Sequence, residues 1–104
     1  MKIMKLIEEH IGDEIHDMKE YAKLAVEYKD ECPELAELFY NLSTEEKHHA
    51  DLLHEKAVSE IEKYRKNHGE PPKEMLAVYD YIHKKHIEKT EKAERYRAMY
   101  REAK

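Results

Sequence analysis

Glu46 and His49 stand three residues apart in an apolar stripe, with Leu42 before them and Leu53 after. On a helix this spacing puts both side chains on one face, a turn apart, so a carboxylate oxygen and an imidazole nitrogen can aim at one point. Glu14 interrupts a second stripe in the same way, among Ile7, Ile11, Met18 and Tyr21. An ionised carboxylate inside an apolar face costs several kcal/mol unless it is paired or bound to a metal. Two carboxylates and an imidazole make a mixed oxygen and nitrogen donor set, which suits iron, manganese or zinc rather than copper(I).

The bare acid-x-x-His pattern is weak by itself. With eight His and 24 acids in 104 residues, chance gives just under two matches, and the chain has five. They are Asp13/His16, Glu45/His48, Glu46/His49, Asp51/His54 and Asp80/His83. Most read as solvated helix faces. Glu46/His49 alone adds an inward phase and a facing carboxylate, Glu14. A one-residue change of helical phase would put Glu45 with His48 or His49 in its place.

Three long helices position these groups. The first is expected over about 2–30, where Met4, Ile11, Met18 and Ala25 form one heptad line and Ile7, Glu14, Tyr21 and Tyr28 the neighbouring one. Cys32-Pro33 breaks it, with Pro33 suited to the first turn of a second helix over about 33–67. Asn67-His68-Gly69 followed by Pro71-Pro72 ends that helix. The third, about 73–103, starts with Met75, Leu76, Val78, Tyr79 and Ile82 and then thins to His86, Ala93, Tyr96 and Tyr100. This thin face predicts a peripheral helix or one completed by a partner chain. The short link between the first two helices makes them antiparallel neighbours. The expected fold is all-α, one domain over 1–104.

Composition narrows the function classes. Charged residues make up 41% of the chain, far above the ordinary quarter, so most of the surface is solvated charge. A single Cys excludes an internal disulfide framework and a Cys-only metal site. No apolar run reaches the roughly 20 residues that cross a bilayer, and the N-terminal residues lack a secretory signal's apolar stretch. A cytoplasmic protein is therefore expected, without a membrane partner. The net charge of −5 argues against nucleic acid as a partner. So small a chain leaves much surface unburied, which favours oligomerisation.

At Glu14, Tyr21 and the run Glu46-Lys47-His48-His49-Ala50-Asp51, the chain resembles the ferritin-like di-iron carboxylate family, in the style of bacterioferritin and rubrerythrin. That family carries a ligand Glu followed seven residues later by a Tyr on its first helix, and Glu-x-x-His-Ala-Asp on its second. The 32-residue separation of Glu14 from Glu46 is close to the family's helix-pair spacing. The resemblance covers roughly residues 7–61. It implies that Glu46 bridges two metals, that Glu14 and His49 are terminal ligands, and that Tyr21 hydrogen-bonds a ligand from behind.

A full ferritin-like chain repeats this set on a second helix pair, and no Glu-x-x-His follows Gly69 here. The half-length plan resembles encapsulated ferritins. It implies a homodimer or higher homo-oligomer in which two hairpins complete a four-helix bundle and pool two sets of Glu14, Glu46 and His49. The implied activity is ferroxidase, Fe(II) to Fe(III), at a di-iron site, with Mn or Zn as other occupants. Peroxide reduction of the rubrerythrin kind has less support, because the paired Cys-x-x-Cys motifs of an electron-delivering domain are absent.

Two other readings stand beside this one. The chain could be a helical interaction or structural module without a catalytic metal, or a mononuclear zinc or transition-metal binder using its surface histidines. His10, one turn before Glu14, could support the site from outside, against a plain polar position. His48 and His54 read as surface residues. His83 and His86, one turn apart, could take up zinc, although such pairs are usually inert. The tail Glu88–Lys104 reads as a solvated helix of Glu–Lys and Glu–Arg pairs.

Overall fold

The computed structural model describes residues 2–103. They form three helices, α1 (Lys2–Tyr28), α2 (Pro33–His68) and α3 (Lys73–Ala103), with no strand among the described residues. The first helix ends two residues before the expected boundary. There the Tyr28 carbonyl accepts a hydrogen bond from the Cys32 N–H at 2.9 Å, which turns the chain. Pro33 opens α2, where a missing N–H costs nothing. Cys32 is its exposed N-cap, and its thiol makes no capping bond. Gly69 stops α2 at φ +85°, a left-handed conformation, and its N–H donates to the Arg65 carbonyl at 3.0 Å.

The helices make a rod 56 Å long and 18 Å across, set by the length of α2. α1 is the central element and packs along both neighbours, whereas the backbones of α2 and α3 approach each other little. Met4 shares a cluster with Ile61 and Met75 at one end, and Ala25 packs with Ala36 and Tyr100 at the other. α2 therefore runs antiparallel to α1, and α3 runs parallel to it. No helix among the described residues is long and apolar enough to cross a membrane.

The buried seam of α1 is Met4, Ile7, Ile11, Ile15, Met18, Ala22 and Ala25. The first heptad line is as expected, but the second differs. Glu14, Tyr21 and Tyr28 are only half-buried, and Ile15 and Ala22 take the interior positions. The cause is α3. A helix wedged between two neighbours needs a wider apolar stripe than a hairpin helix, and the stripe widens toward the added partner. Met4, Ile11, Met18 and Ile82 are fully buried, each contributing about 1.5–3 kcal/mol.

The third helix is not the solvated tail its charge suggests. Arg97 is 6% exposed and joins α3 to the N-terminal half of α2. Its guanidinium donates to Ser43 Oγ at 2.6 Å and Thr44 Oγ1 at 2.9 Å, and lies over the Tyr40 ring at 4.6 Å. Glu94 stands 3.3 Å from Arg97 Nε as its counter-ion, and Lys47 lies 3.5 Å from the same carboxylate. Tyr40 stacks on Tyr100 and accepts a hydrogen bond from Arg101 at 2.9 Å. Replacing Arg97 with Ala leaves Glu94 without its closest cation and opens a gap. We expect a loss of about 3 kcal/mol and a fall in Tm of about 10 °C or more, followed by circular dichroism. Exposed Arg95→Ala should shift stability by less than about 0.5 kcal/mol.

Candidate metal centre

The α1–α2 seam brings together three residues that are far apart in sequence. Because the helices are antiparallel, residues at the middle of one face residues at the middle of the other. Glu14 lies within a turn of the midpoint of α1, and Glu46 and His49 lie about the midpoint of α2. His49 Nδ1 is 3.3 Å from Glu14 Oε2 and 3.9 Å from Glu46 Oε1. One donor atom from each of the three lies within 4.8 Å of the others.

Zinc-type ions hold imidazole nitrogen and carboxylate oxygen at about 2.0–2.2 Å, so neighbouring ligand atoms sit about 3–3.5 Å apart. Small side-chain rotations close the present spacing to that value. The donor chemistry fits a divalent ion of the iron, manganese or zinc kind. Each side chain comes from the middle of a long helix, a rigid support.

The three side chains lie at the margin of the seam rather than inside the chain. Glu46 is 18% exposed, Glu14 26% and His49 50%. This differs from the interior position expected from the stripes, and the reason is the same shift of the α1 core toward Ile15 and Ala22. The face that carries them looks away from α3. α2 meets α3 through Tyr40, Ser43, Thr44, Lys47 and His54. At 3.6 residues per turn, Leu38, His49 and Leu52 point roughly half a turn away from those positions.

Tyr21 and His10 stand apart from the trio. The Tyr21 ring stacks on Phe39, 6.1 Å between centroids, about two turns along the seam. His10 is exposed one turn before Glu14. Among the described residues, neither makes a hydrogen bond to Glu14, Glu46 or His49. Glu45 and His48, the neighbours that a phase change would have favoured, are exposed and outside the group. Sequence reasoning paired His83 with His86 but missed His54, read as a surface residue, which faces them across the α2–α3 cleft. The available signal was that Asp51/His54 and Asp80/His83 repeat the acid-x-x-His pattern on both helices.

Comparison of the chain with protein-family models, curated proteins and solved structures gives no match.

Proposed function

We propose that the chain binds Fe(II) through Glu14, Glu46 and His49 and oxidises it to Fe(III), as a homodimer that joins two such sets in one four-helix bundle. The observation that carries this reading is the convergence of two carboxylates and an imidazole within 4.8 Å on facing helices. The two carboxylates are hard anionic donors, which favour the ferric over the ferrous ion. His49 supplies a nitrogen donor and fills a coordination position.

The position of the trio supports the dimer. A two-fold axis through the middle of a hairpin returns each helix antiparallel to its copy along its full length. Because the trio sits near both helix midpoints, the same operation brings two trios together. The face around it carries apolar surface that the single chain leaves open, including Leu38 at 52% and Leu52 at 49% exposure. On α1, Ile3 and Leu6 add to this surface. Covering it would shield His49 and raise the affinity of the site by excluding water.

Two Fe(II) ions held side by side deliver one electron each. That pair matches the two-electron reduction of dioxygen to hydrogen peroxide, or of peroxide to water, without release of a radical. Adding Fe(II) to the protein in air should produce the near-ultraviolet absorption of a ferric carboxylate product, with saturation at about one iron per chain. A protein that develops no such absorption would contradict the proposal and favour a structural helical module. A cytoplasmic setting agrees with this role, as Fe(II) and the free thiol of Cys32 both persist where the surroundings are reducing.

A further inference from the structure

We infer that His54, His83 and His86 form a second transition-metal site, separate from the α1–α2 trio, which takes a divalent ion of the zinc type and clips α3 to α2. The three imidazoles line a cleft of about 300 Å³ between these helices, floored by Ile11 and Ile15 of α1. The rings of His54 and His83 are 5.6 Å apart between centroids. Two imidazoles on one tetrahedral ion, at about 2.0–2.1 Å per bond, have centroids about 5 Å apart, so the observed spacing is nearly that of a bound pair. His86 follows His83 by one turn on the same face of α3.

The nitrogen inventory points the same way. His54 Nε2 and His86 Nδ1 are both buried, and neither has a hydrogen-bond partner among the described residues. A buried polar atom without a partner is costly and rare in folded proteins. A metal ion in the cleft, with the side chains rotated to meet it, gives both lone pairs a partner; in the present conformation no three donor atoms of the cleft's described residues lie within 4.8 Å of one another.

Asp51 and Glu91 also line the cleft and offer carboxylates for a fourth position, which a water could equally fill. Three imidazoles and one oxygen form a closed or nearly closed set, unlike the carboxylate-rich trio. The site also lies where α2 and α3 have little backbone contact. Arg97 ties these helices near the C-terminus of α3, and the imidazoles lie toward its N-terminal half. A metal there secures the part of α3 that the Arg97 network does not reach.

The test is a titration of the full chain with Zn(II), repeated with Co(II) as an absorbing probe of coordination. Glu46→Ala should keep one tight zinc per chain and the intense visible bands of tetrahedral Co(II). His54→Gln and His83→Gln should each weaken that binding at least about 100-fold and abolish those bands, while leaving helix content intact. His86→Gln serves as a third variant with the same expected result. Zinc should also raise the Tm of Glu46→Ala but not that of His83→Gln. Unchanged zinc affinity in His54→Gln and His83→Gln would overturn the inference, as would tetrahedral Co(II) bands that vanish in Glu46→Ala. Neither result would bear on iron oxidation at the trio.

Discussion

Glu46→Ala is expected to lower the rate of Fe(II) oxidation in air at least about 100-fold, with helix content and Tm almost unchanged. Loss of groups that only orient a metal ligand costs about 10–100-fold, and loss of a ligand costs more. Glu46 is the most shielded of the three donors, and in the proposed dimer it would stand between the two ions. Its removal therefore affects both halves of the proposed site. His49→Ala should have a similar effect, because the remaining carboxylates lack a nitrogen partner. Stability should change by less than about 1 kcal/mol, since these are marginal side chains outside the buried seam. Glu45→Ala and His48→Ala are the controls. Both residues are exposed, and their variants should oxidise iron at the parental rate. Loss of activity in these two with retention in Glu46→Ala would move the site by one helical position.

Leu52→Lys is expected to convert the proposed dimer to a monomer and to abolish the proposed iron oxidation with all three donors still in place. Leu52 is 49% exposed in the single chain and follows His49 by three residues on the same side of α2. A two-fold interface contains every substitution twice, so one change buries two lysines near the axis. At several kcal/mol for each unpaired charge, dissociation should strengthen by more than about 100-fold. Light scattering after size exclusion reads the mass, and the aerobic iron assay reads the site. The monomer itself should keep its fold. Met99→Glu, at an exposed position on α3, should alter neither mass nor activity. A Leu52→Lys protein that remains dimeric and active would place the interface elsewhere.

The features with local causes were legible in the amino-acid order. Pro33 and Gly69 act on their immediate backbone, and the helix boundaries fell within two residues of the expected ones. The trio was legible because its two helices are joined by a short turn, which fixes their direction and approximate register. Features that depend on α3 were not. Its apolar face is thin, so its position could not be read from periodicity. The move of the α1 core from Glu14 and Tyr21 to Ile15 and Ala22 follows from that position. Arg97 was hidden by its composition, since a run of charges looks solvated until Ser43, Thr44 and Glu94 are seen around one of them. The meeting of His54 with His83 requires the same knowledge.

The arrangement divides the molecule by face. α1 and α2 present the carboxylate-rich trio on one side, among open leucines. On the other side α3 closes the bundle, with an arginine network at one end and imidazoles nearer the other. In the proposed dimer the α1–α2 hairpin supplies half of a four-helix bundle, and α3 covers the side of it that does not carry the trio.

The most direct test is native mass spectrometry of the protein loaded with Fe(II) without oxygen. The expected species is a dimer at twice the 12.5 kDa chain mass, carrying about two iron ions, with both lost in Glu46→Ala. A monomer without iron, or iron retained equally by Glu46→Ala, would contradict the assignment of Glu14, Glu46 and His49 as a shared iron site.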